Sequence, residues 1–490
     1  MSSSRSTSSD VPDPWPAPLA MQPLNATVVV PGSKSLSNRY LILAALGNGP
    51  VTIAGMLRSR DTELMADALR TLGVGVEFDG EEDRVTVTPP ANSRFKGNVT
   101  VFCGLAGTVM RFVPGLALFA DGPVRFDGDE QAYARPMHPL LDGLEQLGAH
   151  IKYEGEPGFL PFTITPPRVL ESQGPQQNAG NSSLVNNSAD SSTSHLAKVE
   201  IDSSSSSQFI SSLLLIGSRL PNGLDLKHTG SKLPSMPHIR MTMADVSGAG
   251  GDVAMPEIGH WQVTHRSLQL PDGVVVEPDL SNAAPFLGAA MIAGGTVSVP
   301  NWPTSTTQPG GLLPDILQKM GATVTLDGRA FDEVMADTRG QQNRSSIPKN
   351  GTLMVTMNGP IHGLGHGFDM SAAGEIAPSI AALATLADSP SELVGIGHLR
   401  GHETNRLAAL VTEITRVGAS AMELPDGLAI IPVPHNQLYG ETMETYADHR
   451  MATFAAMIGL AVPDTRIRNI ATTRKTIPDF PSMWRKMLEN

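Results

Sequence analysis

The segment TELMADALRTLGVGVEFDG, residues 62–80, shows the repeated pattern that best indicates the fold. An amphipathic helical stretch runs to Gly73, and alternating apolar and polar residues follow at once up to an acidic-glycine turn. Glycine at that position suits the left-handed conformation that commonly ends a helix. The segment therefore predicts one helix followed by one short strand.

The same pattern recurs along the chain. The copies are MHPLLDGLEQLGAHIKYEG at 137–155, GGLLPDILQKMGATVTLDG at 310–328 and NRLAALVTEITRVGASAMELPDG at 405–427. Their glycines in the cap position are Gly148, Gly321 and Gly418. PHIRMTMADVSGAGGDV at 237–253 is a degenerate fifth copy. Repetition of this kind indicates a fold built from duplicated units.

A second repeated element is a helix of small and apolar residues that runs into a turn and then a strand. Its six copies begin near Leu36, Leu105, Ser205, Leu280, Gly374 and Tyr446. The first and fourth copies share the tripeptide Leu-Ser-Asn, at 36–38 and 280–282. Because three copies precede residue 270 and three follow it, the sequence predicts an α/β protein with two similar lobes of three repeats each.

We predict the following domain organisation. Residues 1–20 form a disordered tail, 33–269 form the first lobe, and 21–32 together with 270–490 form the second lobe. Residues 171–198 are polar and of low complexity, which is typical of a surface insertion.

Composition excludes several classes of protein. The 490 residues are 40% hydrophobic and carry a formal charge of -13, which disfavours nucleic acid and anionic membranes as partners. Cys103 is the only cysteine, so an intrachain disulfide or a cysteine-rich zinc site is impossible. The N-terminal residues lack the apolar stretch of a secretory signal, and we expect a cytoplasmic protein.

The segment PGSKSLSNR, residues 31–39, predicts an anion site. It places Lys34, Ser35 and Arg39 around a helix N-terminus, where the dipole and the backbone amides favour negative charge. Ser33 and Val28 occupy the positions at which a nucleotide-binding P-loop requires glycine, so ATP is not expected. Taken by itself, the motif favours basic residues that only solvate a helix end.

Charged or hydroxyl-rich segments recur at the same junction of the repeat. They are GLAGTVMR at 104–111, YARP at 133–136, SSSSSQF at 203–209, LRGHETNR at 399–406, YADHRM at 446–451 and TTRKTIPD at 472–479. Each could be a solvated surface, and the serine run could be a linker. Together, in an acidic protein, they predict a cleft between the lobes that binds a compact polyanion through charge-assisted hydrogen bonds.

The ordered set PGSKSLSNR, GLAGTVMR, SSQF, HETNR, DHRM and KTIPD resembles the EPSP synthase family of enolpyruvyl transferases across residues 31–480. The resemblance implies an α/β fold with two similar lobes, each of three βαβαββ-type repeats, in the inside-out α/β barrel of enolpyruvyl transferases. It also implies closure over the substrates at hinges near residues 31 and 270.

The implied function is transfer of the enolpyruvyl group of phosphoenolpyruvate to the 5-hydroxyl of shikimate 3-phosphate by addition and elimination, a step of the shikimate pathway to chorismate and aromatic amino acids. The resemblance implies no cofactor and no metal, and we expect a monomer. His362 and His366 are four residues apart, but their glycine-rich surroundings do not predict a helix that would pair them on a metal.

The resemblance also assigns ligands to individual residues. The phosphoenolpyruvate-binding residues would be Lys34, Gly107, Arg135, Gln208, Arg406, Arg450 and Lys475. The shikimate 3-phosphate-binding residues would be Lys34, Ser35, Arg39, Ser206, Ser207, Gln208, Ser235, Glu375 and His402.

Proton transfer is assigned to Glu375, Glu403 and Lys34, because addition to an enol ether needs a base at the hydroxyl and an acid at the methylene carbon. The chain departs from the common pattern of the family at several positions. They are Glu375 for Asp, His402 for Lys, His398 for Asn, His238 for Tyr and Phe112 for Pro.

Two alternatives remain at the level of sequence. The related transferase that acts on UDP-N-acetylglucosamine pairs its N-terminal lysine with asparagine and often uses a cysteine acid in a mobile loop. Here Ser35 follows Lys34, and Cys103 is expected to be a buried strand residue. A binding protein on the same scaffold without catalytic activity is the second alternative, and the presence of Lys34, Glu375, Glu403 and Lys475 argues against it.

Overall fold

The computed structural model describes residues 11–80, 83–168, 196–233, 235–339, 350–401 and 403–489. The chain forms two compact units. We call Lys34–Val276 the first lobe, and the segment that ends at Ser33 together with the chain from Glu277 onward the second lobe.

The helices alternate with strands in both lobes. Those of the first lobe are α1 (Lys34–Ala45), α2 (Arg60–Thr71), α3 (Gly107–Phe112), α4 (His138–Gln146), α5 (Gln208–Gly217) and α6 (Met236–Gly248). Those of the second are α7 (Leu280–Ala293), α8 (Leu313–Lys319), α9 (Phe331–Arg339), α10 (Ala377–Thr385), α11 (Arg406–Arg416), α12 (His449–Gly459) and α13 (Phe480–Leu488). Within the described ranges, no helix has the length and apolar character needed to cross a membrane.

The strands are short, and their numbering follows the chain. The first lobe contains β3 (Val51–Ala54), β4 (Gly75–Asp79), β5 (Arg84–Thr88), β6 (Val99–Phe102), β7 (Val124–Asp127), β8 (His150–Tyr153), β9 (Phe162–Thr165), β10 (Ala197–Ile201), β11 (Leu224–His228), β12 (Asp252–Glu257), β13 (His260–Thr264) and β14 (Val274–Val275).

The second lobe begins with β1 (Trp15–Pro16) and β2 (Leu24–Thr27) and continues after the first lobe. Its later strands are β15 (Gly295–Pro303), β16 (Thr323–Leu326), β17 (Arg329–Ala330), β18 (Asn350–Met357), β19 (Gly365–Asp369), β20 (Ser391–Val394), β21 (Ser420–Leu424), β22 (Gly427–Ile431), β23 (Thr442–Met443) and β24 (Arg466–Ile467).

One sheet pattern recurs in both lobes. Sheets β6-β7-β9-β8, β10-β11-β13-β12 and β14-β3-β5-β4 of the first lobe each join a parallel pair to an antiparallel hairpin. The same order occurs in β19-β20-β22-β21 and, with β17 added, in β2-β15-β18-β16. A reduced sheet β1-β24-β23 completes the second lobe. These sheets confirm the predicted α/β fold of βαβαββ-type repeats.

The six predicted helices of small and apolar residues form the centre of each lobe. Helices α1, α3 and α5 contact one another in the first lobe, and α7, α10 and α12 do so in the second. All residues of α10 and α12 are buried, as expected for a helix that is apolar on every side. Helices therefore occupy the interior and the sheets lie outside them, which positions the N-termini of buried helices to carry functional side chains.

The glycines after the amphipathic helices adopt the predicted conformation. Gly73, Gly148, Gly321 and Gly418 have φ of 86°, 92°, 105° and 96°. This left-handed conformation strains any residue that carries a Cβ, so glycine allows the chain to turn directly from each helix into its strand.

The lobe boundaries differ from the predicted ones. They lie at 33/34 and 276/277 rather than at 32/33 and 269/270. The second difference arises because Val274 and Val275 pair in parallel with Ile53 and Ala54, so β14 is the first strand of the sheet that holds β3. A strand that belongs to the beginning of a repeat is thus supplied from the end of the lobe.

The predicted disordered tail and insertion also need correction. Residues 11–20 are not a disordered tail, because Trp15 is fully buried and β1 pairs with β24. Most of the 171–198 segment lies outside the described residues, but Ala197 and Lys198 already belong to β10.

Trp15 provides a test of this N-terminal packing. Replacing a fully buried Trp15 by Ala should lower the free energy of unfolding of the second lobe by about 3–5 kcal/mol. Trp15→Phe should cost less, because the buried indole N–H has no hydrogen-bond partner among the described residues. Urea unfolding measures both variants, and an unchanged midpoint for Trp15→Ala would exclude Trp15 from the core.

Candidate active site

Lys34 is the first residue of α1, and a carboxylate orients it. Lys34 Nζ lies 3.3 Å from Asp61 Oδ2, and both side chains are largely buried. Asp61 is fixed in the first turn of α2 by a capping box, in which Ser59 N donates to Thr62 Oγ1 at 2.9 Å and Ser59 Oγ accepts from Thr62 N. The capping box thus sets the direction of the lysine through its partner.

Two guanidinium groups converge on Gly107 at the start of α3. A Cβ at this position would lie 3.0 Å from Arg111 Nη1 and 3.0 Å from Arg135 Nη2. Burial, reinforced by Arg135, lowers the pKa of Arg111 to about 9, and burial also lowers the pKa of Arg135. Glycine therefore permits a concentration of positive charge beside the backbone, which is a place for an anion.

Arg111 also orients Gln208, the first residue of α5. Arg111 Nη1 donates to Gln208 Oε1 at 3.1 Å, and Ser212 Oγ of the same helix donates to the Arg111 carbonyl at 2.5 Å. Arg111 is the last residue of the motif GLAGTVMR, but the sequence alone did not predict a role for it. Its burial beside a glycine could not be read from the motif.

The serine run before α5 is an ordered turn rather than a linker. Ser203 is buried and donates from Oγ to the Ser206 carbonyl at 2.6 Å. Ser206 Oγ accepts from Gln208 N at 3.2 Å, and the buried Ser207 is the N-cap residue of α5. The turn thus presents hydroxyl groups and amides at one helix start.

Arg39 connects α1 to α6. Its guanidinium donates to Thr242 Oγ1 at 2.8 Å, to the Ser35 carbonyl at 2.9 Å and to the His238 carbonyl at 3.2 Å. Burial lowers the pKa of Arg39 to about 10, against the opposing effect of Asp245. Arg39 is 2% exposed, so in this arrangement it supports Ser35 and His238, and its contact with a ligand stays a prediction.

The neighbours of Arg39 account for two of the unusual residues of this chain. Phe112 packs under the Arg39 guanidinium, with Cζ 5.2 Å from the ring centroid. His238 bonds through Nδ1 to the hydroxyl of Ser235, which has φ of 53°. Ser235 is the N-cap residue of α6, so the histidine fixes a hydroxyl in a left-handed turn.

The second lobe contains a compact cluster around Arg406, the first residue of α11. Arg406 Nε lies 2.7 Å from Asp448 Oδ2, Nη1 lies 3.5 Å from Glu375 Oε2, and Nη2 lies 3.7 Å from Glu403 Oε2. Arg406 and Asp448 are buried. Burial would raise the pKa of Asp448, but Arg406 outweighs it and keeps that pKa below its usual range.

Arg450, in the first turn of α12, belongs to the same cluster. Its Nε lies 3.8 Å from Glu375 Oε2, and its Nη1 donates to Asn282 Oδ1 at 3.0 Å. Asp448 caps α12 by accepting from Arg450 N at 2.8 Å. The capping carboxylate therefore holds both arginines, one through its side chain and one through its backbone.

Glu403 pairs with two further basic groups besides Arg406. His449 Nδ1 lies 2.9 Å from Glu403 Oε2, and Lys475 forms an ion pair with Glu403 Oε1. Glu375 and Glu403 keep 24% and 25% exposure, so both carboxylates can reach a bound molecule. The cluster thus combines three cations with two accessible carboxylates.

Donor atoms of Glu403, Asp448 and His449 lie within 4.8 Å of one another, the spacing of a metal site. Arg406 and Lys475 already neutralise the two carboxylates, which disfavours a further dication. His362 and His366 pair instead with Asp388 and Glu392 at 2.8 and 3.1 Å.

The predicted residues fall into two groups. Lys34, Ser35, Arg39, Gly107, Arg135, Ser206, Ser207, Gln208 and Ser235 lie in the first lobe, and Glu375, Glu403, Arg406, Arg450 and Lys475 lie in the second. His402 lies outside the described residues. The sequence did not predict that Asp61, Arg111 and Asn282 contact the site residues Lys34, Gln208 and Arg450. It also did not predict that Asp448 binds both Arg406 and Arg450. The Leu-Ser-Asn repeat was the one signal that marked Asn282.

Comparison with known proteins identifies the family of the chain. Residues 19–484 match the family of EPSP synthase (3-phosphoshikimate 1-carboxyvinyltransferase). A 3-phosphoshikimate 1-carboxyvinyltransferase of Bifidobacterium longum (strain DJO10A) is 62% identical over 479 residues, which cover 97% of this chain and 98% of that protein.

Solved structures agree on the fold. The EPSP synthase of Acinetobacter baumannii superposes with a TM-score of 0.72 at 21% identity, over 95% of this chain and 96% of that one. The enolpyruvyl transferase NikO of Streptomyces tendae superposes with a TM-score of 0.63 at 18% identity, over 96% of both chains.

Cys103 is fully buried, as predicted, but it follows β6 rather than lying in the strand. Burial raises the pKa of its thiol. The thiolate is the reactive form of cysteine. We therefore expect Ellman's reagent to leave the native protein unmodified and to titrate one thiol in urea. Rapid labelling of the native protein would contradict this burial and would restore Cys103 as a candidate acid.

Proposed function

The chain belongs to the EPSP synthase (3-phosphoshikimate 1-carboxyvinyltransferase) family, and on that basis we propose how its residues carry out the reaction. It is a transferase of the shikimate pathway. It moves the enolpyruvyl group of phosphoenolpyruvate to the 5-hydroxyl of shikimate 3-phosphate and releases phosphate. The 5-oxygen bonds to carbon 2 while carbon 3 gains a proton. The bond between carbon 2 and the bridging phosphate oxygen then breaks, and carbon 3 loses a proton.

The observation that carries the assignment of roles is the position of Glu375 beside two arginines, 3.5 Å from Arg406 and 3.8 Å from Arg450. A base for the hydroxyl must lie next to the group that holds the reacting anion. Glu375 lies in the same cluster as both arginines. We therefore assign it the role of the base that removes the proton of the 5-hydroxyl.

The cations are assigned to phosphoenolpyruvate. Its proposed binding residues are Lys34, Gly107, Arg135 and Gln208 of the first lobe and Arg406, Arg450 and Lys475 of the second. Phosphoenolpyruvate carries a carboxylate and a phosphate, and planar guanidinium groups bind such anions through paired hydrogen bonds. As phosphate leaves, fixed cations stabilise the charge that accumulates on it, at no cost of reorganisation.

The hydroxyl-rich turns are assigned to shikimate 3-phosphate. Its proposed binding residues are Lys34, Ser35, Arg39, Ser206, Ser207, Gln208, Ser235, Glu375 and His402. Hydroxyls and amides at the starts of α5 and α6 suit a phosphate and a ring hydroxyl. Support comes from the ordered turn around Ser206 and from the bond that fixes Ser235.

Glu403 and Lys34 are assigned to the methylene carbon and the departing phosphate. Glu403 pairs with Lys475 and His449, so a proton can be replaced on its carboxylate from a basic neighbour. Asp61 holds Lys34 in a single direction, which favours a defined contact with an anion. No cofactor takes part in this scheme.

We also propose that the enzyme is cytoplasmic and monomeric. Each lobe encloses its own hydrophobic core, which supports a chain that folds without a partner. Size-exclusion chromatography with light scattering would measure the mass in solution, which we expect to match 51.8 kDa.

The acceptor can be tested by phosphate release from phosphoenolpyruvate. We expect release with shikimate 3-phosphate and none with UDP-N-acetylglucosamine. Release with the nucleotide sugar alone would assign the chain to the related transferase. No release of phosphate with either acceptor would favour a binding protein without catalytic activity.

Glu375→Gln tests the assignment of the base. Loss of a general base reduces turnover by about 10²- to 10⁴-fold, while the shape of the side chain and the bound substrates are kept. We expect kcat to fall in that range and both KM values to change little. Glu392→Gln, on a strand of the same lobe, is the matched control. Normal turnover of Glu375→Gln would remove Glu375 from the mechanism.

A further inference from the structure

Helix α11 contacts the chain before Asp448 at two points. Arg406, at its start, binds the carboxylate of Asp448. Glu413, seven residues and about two helical turns further on, therefore lies on the same face of the helix. Glu413 binds the segment at Glu444 and Tyr446. The segment 444–448 is thus held at both ends by one helix.

Glu413 is a fully buried carboxylate whose oxygens are all used. It accepts from Tyr446 Oη at 2.8 Å, from Glu444 N at 3.1 Å, and from Arg416 Nε and Nη2 at 2.9 and 3.2 Å. A buried carboxylate is costly unless it is paired and hydrogen-bonded. Four donors from a helix and a neighbouring turn satisfy that condition.

The turn that Glu413 holds is strained. Tyr446 and Ala447 both have φ of 54°, the left-handed conformation that a side chain disfavours. Two consecutive residues in this conformation persist only where neighbouring contacts impose it, and such sites cluster near functional groups. Asp448, His449 and Arg450 follow directly.

The hydroxyl of Tyr446 is suited to the role of donor. Burial and the bond to Glu413 raise the pKa of Tyr446 to about 12, so the hydroxyl keeps its proton at physiological pH. The bond connects the ring of a strained residue to the helix that carries Arg406.

We propose that Glu413, acting through Tyr446, is a positioning residue that holds the left-handed Tyr446–Ala447 turn and thereby places Asp448 against Arg406 and Arg450. This rests on the proposed binding of phosphoenolpyruvate by those two arginines. Glu413 itself contacts no reacting atom. Without its carboxylate the turn relaxes, Asp448 withdraws and both arginines lose their alignment.

Glu413→Gln and Tyr446→Phe test the proposal by steady-state kinetics. Loss of a buried hydrogen bond of this kind should raise the KM for phosphoenolpyruvate by about tenfold, with the KM for shikimate 3-phosphate unchanged. Because both changes act on the contact between Glu413 and Tyr446, their effects on this KM should be less than additive in the double variant. Tyr439→Phe, at an exposed tyrosine outside the contact, is the matched control.

Ala447→Gly provides a readout that a loss of folded protein would not give. Glycine adopts positive φ without strain, so it should lower the tendency of the turn to relax. In the Glu413→Gln background we expect Ala447→Gly to lower the raised KM for phosphoenolpyruvate most of the way to the value of the unmodified enzyme. A merely destabilised protein would show less active enzyme and an unchanged KM.

Several outcomes would overturn the proposal. They are an unchanged KM for phosphoenolpyruvate in both Glu413→Gln and Tyr446→Phe, an equal rise of both KM values, or no rescue by Ala447→Gly. Tyr446→Phe removes only a hydroxyl, and it supplies the answer if Glu413→Gln does not fold. Arg450→Lys distinguishes a failure of the proposed phosphoenolpyruvate site from a failure of the positioning role. If it leaves the KM for phosphoenolpyruvate unchanged, the proposed ligand of Arg450 is wrong; if it raises that KM while the Glu413 and Tyr446 variants do not, only the positioning role fails.

Discussion

The buried ion pair between Arg406 and Asp448 is the interaction on which the second-lobe site depends. Removing two charges from water costs several kcal/mol for each ion, and mutual attraction repays this only when geometry and further hydrogen bonds are good. Asp448 meets the condition by accepting from the Arg406 side chain and from Arg450 N at once. Such a pair contributes position rather than stability, because it fixes the starts of α11 and α12 relative to each other.

The first lobe concentrates charge by different means. Around Arg406 every cation has a carboxylate within 4 Å, whereas Arg111 and Arg135 approach Gly107 and each other. Burial, and secondly the charge of Arg135, lowers the pKa of Arg111, so holding both cations there is unfavourable in the absence of an anion. An anion bound there would relieve repulsion as well as form hydrogen bonds, whereas in the second lobe the paired carboxylates hold the cations in fixed positions.

The sequence predicted features whose signals are local. Cap glycines such as Gly73, the buried helices and the charged helix starts lie within a few residues of the pattern that identifies them. The partners of those charges do not. Lys34 and Asp61 are 27 residues apart, and Arg406 and Asp448 are 42 apart. The residues close to each basic side chain therefore do not indicate which carboxylate will pair with it. The lobe boundary was misplaced for the same reason, since β14 joins β3 across the length of the first lobe.

The repeated Leu-Ser-Asn shows how one scaffold acquires two chemistries. Asn38 Nδ2 donates to Thr108 Oγ1 at 2.6 Å, and Asn282 Nδ2 donates to the Thr476 carbonyl at 3.3 Å, so both asparagines tie the first buried helix of a lobe to a neighbouring element. Only Asn282 also accepts from Arg450. The duplicated helix therefore supplies an amide at a fixed place, and the residues at the start of the adjacent helix decide whether that amide only joins helices or also orients a cation. In a fold built from six repeats, most of the proposed ligand-binding groups lie at helix starts, and a few side chains within the helices, such as Arg39 and Arg111, support them.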